Sequence, residues 1–415
     1  MKAKKIFSTY WQQMLLLLMA IGVFCFWFSA YPHVIVMRES LQLFLWNTSY
    51  FMERMAVPGG FAQYIGEGLV QFFLNPTNGA IIYAFLFLIE QWLSALLLRR
   101  SFPSMKKGYR FLLSLVLPLA LWRIAMIPEV PLTPTVALIL VMGSMLLVPM
   151  GKRSRLTYTC ILTPVMYWLA GPAAFLLTLG CIRWIPLTAT LFAACLIGSS
   201  WVTPYPLRQI AKGIDYYWGQ ERNIGFYEEM DCDMMMRLGQ WNDVINKFRY
   251  TNSKTVKSAI KLTSFQTGQV GRQELFSSML IPQEMQSEDP SIFSSNGLHM
   301  IINFESLTAA FMVSDIALQM ALPTISQRAA FEAMEFIPNY NKSGRALKRL
   351  AETNIITGQY KTALKYISIL EETTFYRQWA HEIRPMAENP QLLQKSPFFK
   401  QVQETYAQME DMFFI

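Results

Sequence analysis

Long apolar runs fill the first half of the chain, and polar positions recur at helical spacing only in the second half. A helix needs about 20 apolar residues to cross a bilayer, and residues 11–30 reach that length directly after a basic N-terminus. The run is longer than the apolar core of a signal peptide, which predicts an uncleaved first span. The whole pattern predicts seven spans, at residues 11–30, 80–98, 111–127, 132–150, 156–170, 171–181 and 185–202.

Two of these spans, 156–170 and 171–181, are short for a crossing. Read together as one straight helix they would extend about 39 Å, which is long enough to span. That alternative gives six spans and leaves the C-terminus in the cytoplasm. The Gly171-Pro172 pair favours a tight turn instead, so seven spans are the preferred prediction and six stay open.

Basic residues indicate which loops face the cytoplasm, because cytoplasmic loops of membrane proteins carry an excess of Lys and Arg. The opposite loops hold only Arg38 and Arg54. The clusters in alternate loops are Lys2, Lys4, Lys5, Arg99, Arg100, Lys106, Lys107, Arg110, Lys152, Arg153, Arg155 and Arg183. We therefore expect a multi-pass protein of the cell inner membrane with a cytoplasmic N-terminus. With seven spans, the chain after Thr203 is periplasmic.

From Arg208 onward the apolar positions follow the pattern of amphipathic helices arranged in pairs. The segments "RLGQWNDVINKF" (237–248) and "ITGQYKTALKYI" (356–367) share a Gly-Gln-aromatic sequence between two helical runs. Glycine at such a turn permits positive φ, and the aromatic residue begins the next helix. The pattern predicts four such turns, at Gly239, Gly268, Pro323 and Gly358.

This arrangement resembles the tetratricopeptide family, whose helix pairs repeat about every 34 residues. The resemblance implies an α-solenoid in which each pair buries one face against its neighbour. Residues 282–296 are polar and predict a loop inserted into the array. The side chains expected in the core are Trp241, Phe331, Tyr360, Ala363 and Leu364.

The two halves of the chain differ in net charge, and this difference bears on which partners are expected. Residues 1–207 hold 15 Lys/Arg and 5 Asp/Glu, a charge of +10; the remainder holds 21 and 23, a charge of −2, and the two give the net +8. The basic excess therefore marks membrane topology, and nucleic acid is not an expected partner. The 5 cysteines and 3 histidines show no metal-ligand spacing, so we expect no metal and no cofactor.

Residues 31–79 form a first outer loop that is too long for a simple connection. Two apolar segments, 39–55 and 61–74, have helical spacing and predict helices in the outer interface. Glu39 lies in this loop and Glu129 in the next outer loop. A carboxylate in such a place can activate an acceptor hydroxyl or hold a divalent ion on a lipid diphosphate.

The order of one span, a long outer loop with two interfacial helices and further spans resembles the GT-C class of membrane glycosyltransferases. The resemblance implies a lipid-linked sugar donor, with Glu39 and Glu129 as catalytic residues. Neither loop contains a paired acidic motif such as Asp-x-Asp. A solvated or helix-capping role for the two glutamates is the competing interpretation.

Two charged residues, Glu90 and Arg123, lie within predicted spans that are consecutive and antiparallel. Charges in lipid are costly and usually face partners. A structural contact between the two is the favoured interpretation, and a substrate path is the alternative. The Arg123 side chain is long enough to reach outward to the interface or inward toward Glu90.

The segments "YPH", "VPGGFAQYIGEGLVQFF", "YWLAGP" and "ITGQYKTALKYI" resemble an uncharacterised family of polytopic membrane proteins of Bacteroidota. The resemblance supports an all-α architecture with a transmembrane domain at residues 1–207 and a soluble helical-repeat domain at 208–415. It implies no activity, so whether the protein is an enzyme stays open. We expect a membrane scaffold whose repeat domain holds a protein or peptide partner, with the lipid-linked transferase as the alternative.

Overall fold

The computed structural model describes residues 2–149, 151–179, 185–214, 225–271, 274–275, 292–295, 298–301, 305–337 and 341–408. These residues are almost entirely helical, as the sequence predicts. The exception is an antiparallel β-hairpin, β1 (Ile292–Ser295) paired with β2 (Leu298–Ile301). It begins inside the predicted loop 282–296, the first part of which lies outside the described residues.

The chain divides into two compact units. The first comprises Met1–Glu39 and Trp46–Gln220, and the second comprises Ser40–Leu45 and Glu221–Ile415. The sequence analysis predicted a single domain boundary at 207/208. In the structure the first unit extends to Gln220, and the second unit also takes a short segment from the first outer loop.

The first unit contains twelve helices in the described part of the chain, and a π-helical turn, Phe26–Ala30, continues the first of them. They are α1 (Lys2–Cys25), α2 (Pro32–Ser40), α3 (Thr48–Met55), α4 (Gly60–Val70), α5 (Pro76–Ser101), α6 (Lys107–Ser114), α7 (Val116–Ala125), α8 (Thr133–Leu147), α9 (Lys152–Ala170), α10 (Leu176–Leu179), α11 (Ile185–Val202) and α12 (Leu207–Lys212).

Five helical stretches of the described chain are long and apolar enough to cross a membrane. They are Trp11–Ala30, Pro76–Ser101, Lys107–Ala125, Ser154–Thr178 and Ile185–Val202. The predicted count of seven is not confirmed, for two physical reasons. The predicted span 132–150 contains only the 15-residue α8, about 22 Å long. The predicted spans 156–170 and 171–181 fall on one stretch, which Gly171 interrupts with a φ of +65°.

A backbone contact between Gly59 and Gly171 joins the first outer loop to the end of α9. A Cβ on Gly59 would lie 3.3 Å from the Gly171 backbone, and both residues have positive φ. The amide of Gly59 donates to the carbonyl of Trp168 at 2.8 Å, and the Trp168 indole donates to the carbonyl of Met55 at 2.9 Å. Glycine is favoured at both positions, because an L-residue is strained at positive φ and its Cβ would make a tight contact with the opposite backbone.

Helix α12, which follows the last apolar helix, packs at the same end of the first unit. Ile210 belongs to the buried cluster that includes Ala62 of α4 and Ala170 at the end of α9. Near that end the hydroxyls of Tyr167 and Ser199 are 2.7 Å apart. Helices α9 and α11 therefore both end at the side of the first outer loop.

The second unit consists of helix pairs. Its described helices are α13 (Tyr227–Arg237), α14 (Trp241–Phe248), α15 (Lys254–Gln266), α16 (Leu307–Gln319), α17 (Pro323–Glu335), α18 (Gly344–Ile356), α19 (Tyr360–Glu371), α20 (Arg377–Glu388) and α21 (Pro397–Gln408). Trp241 and Tyr360 each begin a helix, as predicted, and both pack on the core. Ala363 is buried at a close helix approach and Leu364 is partly buried. Phe331 is 44% exposed, so its predicted place in the core is wrong.

Four helices of this unit end in the same left-handed turn. The residue with positive φ is Gly239, Gly268, Ala321 or Gly358, with φ of +69°, +74°, +59° and +78°. In each case the next amide donates to a carbonyl five residues earlier, at 2.7–2.9 Å, which is the hydrogen bond of a Schellman motif. The third turn is therefore centred on Ala321. The predicted centre, Pro323, is instead the first residue of α17, where its missing N–H is no disadvantage.

A buried ionic network joins three helices of the second unit. Arg345 of α18 makes two 2.7 Å hydrogen bonds to Asp233 of α13 and one of 2.5 Å to Asp315 of α16. Arg349 also contacts Asp315, and Phe311 lies under the Arg345 guanidinium with its ring centre at 4.5 Å. Burial alone would raise the pKa of Asp315, but the two guanidinium groups hold it at about 2. The network stays ionised at neutral pH and fixes the three helices relative to one another.

The segment Ser40–Leu45 is built into the second unit. The Ser40 hydroxyl accepts a 2.8 Å hydrogen bond from Arg237 of α13. After one turn residue the chain has no regular secondary structure, and Leu43 and Leu45 join the core cluster formed around Leu347 and Leu350. The first outer loop thus supplies core side chains to the second unit.

We predict that Gly358→Ala destabilises the second unit by about 1 kcal/mol, because an L-residue at φ +78° is strained. A Cβ at Gly358 meets open space, so the loss measures backbone conformation alone. Denaturant unfolding of the full-length protein in detergent, followed by circular dichroism, measures it. Gly271→Ala is the matched control, since its Cβ also meets open space without positive φ. Equal stabilities of the two variants would contradict the prediction.

Candidate functional site

The candidate site lies where the first outer loop meets the second. The first loop folds as α2, α3 and α4, followed by the 3-10 turn Gln71–Leu74. The predicted interfacial helix 61–74 corresponds to α4 and this turn. The predicted helix 39–55 is interrupted: Glu39 and Ser40 end α2, residues 41–47 are not helical, and only Thr48–Met55 forms the expected helix.

A buried carboxylate, Glu67, organises the first outer loop. Its Oε2 accepts hydrogen bonds from the Tyr50 hydroxyl at 2.5 Å and from Nε of Arg54 at 2.8 Å. Its Oε1 accepts from the Gln63 amide at 3.0 Å. Burial and the charge of Glu67 raise the pKa of Tyr50, so its hydroxyl remains a donor. The cluster locks α3 against α4 and leaves neither Glu67 oxygen available for catalysis.

Arg38 joins the first outer loop to the second. One of its terminal nitrogens, Nη2, donates to the carbonyls of Ala125 at 2.6 Å and Ile127 at 2.8 Å, and Nε donates to that of Pro128 at 3.3 Å. These carbonyls lie at the C-terminal end of α7, where the helix dipole favours a cation. Burial lowers the pKa of Arg38, and the negative charge of Glu129 opposes that shift.

The structure brings together the chain segments that carry Glu39 and Glu129. Arg38 precedes Glu39 and binds the backbone immediately before Glu129. Glu39 is buried and Glu129 is half-buried. Burial raises the pKa of Glu129, whereas its own backbone amide and the Arg38 charge lower it. A carboxyl group whose pKa is raised in this way is suited to proton transfer.

Glu90 and Arg123 do not form the contact that was favoured for them. Neither oxygen of Glu90 accepts a hydrogen bond from a described residue, and the side chain is fully buried in α5. Arg123 is exposed on α7. The next residue, Gln91, makes the interhelical contact of this region, donating to the Ser114 hydroxyl at 3.0 Å.

Metal-binding chemistry receives no support within the described residues, where no cluster of three or more His, Cys, Asp or Glu side chains could hold an ion. Cys25, Cys160, Cys195 and Cys232 are free thiols. Burial raises the pKa of the Cys232 thiol, and the surrounding carboxylates add to this shift, so the thiol is unreactive.

The sequence matches the profile of a known protein family. A family profile described as "Family of unknown function (DUF6057)" matches residues 8–415. The chain belongs to this family. A search of curated proteins and a search of solved structures each find no match. Membership supports the expected relationship to an uncharacterised family and assigns no activity.

Sequence reasoning missed Glu67 and Arg38 as the organising residues of the site. A signal for Glu67 was present, because it is the only charged residue in the apolar segment "GFAQYIGEGLV". Tyr50 and Arg54 are separated by one helical turn, which places them on one face of α3. No comparable signal marked Arg38, since its partners are backbone carbonyls that are distant in sequence.

We predict that Glu67→Gln destabilises the protein by about 3–5 kcal/mol, because it removes the buried counter-charge of the largely buried Arg54 guanidinium and leaves only the exposed Glu53 carboxylate beside it. Thermal unfolding in detergent measures the loss. Glu53→Gln is the matched control: its carboxylate is 71% exposed and pairs with the same arginine at 3.4 Å, so we expect a change below about 0.5 kcal/mol. A Glu67→Gln protein as stable as this control would refute the organising role.

Proposed function

We propose that this protein is a multi-pass inner-membrane scaffold whose tetratricopeptide-like unit lies outside the cytoplasm and binds a protein or peptide partner. The observation that carries the proposal is the presence of Ser40–Leu45 in the second unit. The presence of this segment supports a position of the second unit outside the cytoplasm. The helix pairs support the binding of a protein or peptide partner.

The segment Ser40–Leu45 lies between the first two candidate spans, Trp11–Ala30 and Pro76–Ser101. A folded unit that includes this segment has to be on the side of the membrane to which the first loop projects, since lipid-exposed non-helical backbone does not lie in the hydrocarbon region. The basic clusters support a cytoplasmic N-terminus, so the first loop projects to the opposite side of the membrane. The second unit is then periplasmic.

The first unit supports the same topology independently. Helices α9 and α11 both end near Gly171, where Ile210 packs with Ala170 and Ala174. A common end for the two helices supports the seven-span prediction, in which the chain crosses the membrane between them and the C-terminal unit is periplasmic.

The second unit has the properties of a binding platform. Repeated hairpins closed by one turn type present a continuous helical surface, and the Arg345 network holds three of the helices rigidly. Aromatic side chains remain on that surface, among them Phe226, Tyr250 and Phe331. Exposed aromatic residues are frequent anchors at protein interfaces, which favours a protein or peptide partner.

Cysteine labelling in intact cells tests both parts of the proposal. In a variant without native cysteines, Tyr250→Cys places a thiol at a site that is 89% exposed. We expect a membrane-impermeant maleimide to label it, and a bifunctional reagent to yield a discrete protein adduct. Ser104→Cys, in the exposed basic loop after α5, is the matched control and should react only after lysis.

The two possible failures of this experiment are distinct. Labelling of the Ser104→Cys protein but not of the Tyr250→Cys protein in intact cells would reverse the topology. Labelling of the Tyr250→Cys protein, with no protein adduct from thiols placed at Phe226, Tyr250 or Phe331, would leave the topology standing and refute the scaffold.

A lipid-linked glycosyltransferase is the second candidate. The observation that favours it is the meeting of the segments that carry Glu39 and Glu129 at Arg38. With a raised pKa, Glu129 would accept the proton of an acceptor hydroxyl, and Glu39 would position the acceptor or a divalent ion.

We predict that, under this candidate, a Glu39→Gln, Glu129→Gln double variant loses about 100-fold or more of its sugar-transfer rate. The assay follows transfer of a radiolabelled sugar from polyprenyl-phosphate donors in purified membranes. Glu53→Gln, an exposed glutamate of the same loop, is the control and should retain the rate. Full activity in the double variant, or no transfer by the unmodified protein from any polyprenyl donor, would remove the transferase candidate.

A further inference from the structure

Several buried hydrogen-bond donors in the first unit have no acceptor among the described residues, and three of them lie on neighbouring side chains. Nε1 of Trp27, Nη1 of Arg38 and the hydroxyl of Tyr83 find no hydrogen-bond partner among the described residues. The three residues are 0%, 3% and 1% exposed. Leaving a donor unpaired in a buried place costs about 1–3 kcal/mol, so three in one place call for an explanation.

The three side chains are gathered around the Tyr83 ring. Trp27 stacks on that ring, with centroids 4.3 Å apart and planes inclined by 14°. The guanidinium carbon of Arg38 is 5.5 Å from the centre of the same ring. The three side chains therefore form one cluster around the Tyr83 ring, assembled from the end of the first candidate span, from α2 and from α5.

The chemistry of the donors selects the ligand. The indole N–H and the guanidinium N–H groups can only donate, so the ligand must accept. Arg38 makes no ion pair with a described residue; its bonds go to three carbonyls, and Glu129 acts on it only through space. A buried guanidinium with a free N–H favours an anionic oxygen, and phosphate offers several in the geometry that arginine prefers.

The position of the site agrees with the level of lipid headgroups. Trp27 lies near the outer end of the first candidate span, Trp11–Ala30. Tyr83 follows Pro76, the first residue of α5, by seven positions, which places it about 10 Å along that helix. An aromatic pair with an arginine at this depth is typical of the interface between hydrocarbon and headgroups.

We propose that Trp27, Arg38 and Tyr83 form a binding site for a phosphate group at the outer interface, supplied by a phospholipid headgroup or by free phosphate. The bound oxygen accepts from the indole, the guanidinium and the phenol. Because Arg38 also holds the carbonyls of the second outer loop, phosphate binding stabilises the contact between the two loops. The site is independent of the proposed scaffold function.

Thermal unfolding of the delipidated full-length protein in phosphate-free detergent tests the site. The probes are dihexanoyl phosphatidylglycerol, dihexanoylglycerol and inorganic phosphate. We expect the phospholipid to raise the unfolding temperature saturably, and dihexanoylglycerol, which lacks the phosphate, to leave it unchanged. Stabilisation by inorganic phosphate as well would indicate that free phosphate also fills the site.

Tyr83→Phe and Trp27→Phe each remove one donor and keep an aromatic ring. We expect each to raise the midpoint concentration of the phospholipid about 10-fold, because one hydrogen bond to a charged group is lost. Tyr167→Phe is the matched control, since its hydroxyl already bonds to Ser199. It should lower the unfolding temperature without changing the midpoint.

Two results would overturn the proposal. One is equal stabilisation by the phospholipid and by dihexanoylglycerol, which would show that the acyl chains and not the phosphate are recognised. The other is an unchanged phospholipid midpoint in both Tyr83→Phe and Trp27→Phe. Because the Tyr83 hydroxyl has no partner in the structure, its removal leaves folding intact and the test remains interpretable.

Discussion

Compensation of buried charge is the constraint on which both units depend, because an unpaired ion in a low-dielectric interior costs several kcal/mol. In the first unit Glu67 neutralises Arg54 and ties α3 to α4. In the second, Arg345 bridges carboxylates on two other helices. Arg38 and Glu90 are exceptions: backbone carbonyls satisfy only part of the Arg38 guanidinium, and neither oxygen of Glu90 accepts a hydrogen bond from a described residue.

The first outer loop acts as more than a connection between spans. Within a few residues the chain clamps the second loop through Arg38, leaves the first unit at Glu39 and enters the core of the second unit as Ser40–Leu45. The loop then returns to form the Glu67 cluster and the close approach of Gly59 to Gly171. Many apolar residues of this loop are buried, although they lie outside the candidate spans, because they pack into the cores of both units. We therefore expect the loop to tolerate little change in length or polarity.

Local sequence patterns predicted most of the helix pairs in the second half of the chain. Gly-Gln-aromatic marked the turns at Gly239 and Gly358, because a left-handed residue followed by a helix start leaves a direct sequence signature. The turn at Ala321 has the same backbone but no glycine, so the sequence pointed to Pro323 instead. Phe331 was placed in the core on its apolarity alone, and its exposure depends on which face of α17 meets the neighbouring helices.

The sequence by itself determined the helical class, the apolar stretches long enough to cross a membrane, and the change to paired amphipathic helices after them. These features are local, since each depends on residues within one or two helical turns. Tertiary structure alone decided that α9 ends at a glycine contact, that Ser40–Leu45 belongs to the second unit, and that Trp27, Arg38 and Tyr83 share one place. Each of these depends on partners far apart in the chain, and several of the partners are backbone groups, which every residue type carries and no sequence pattern reveals.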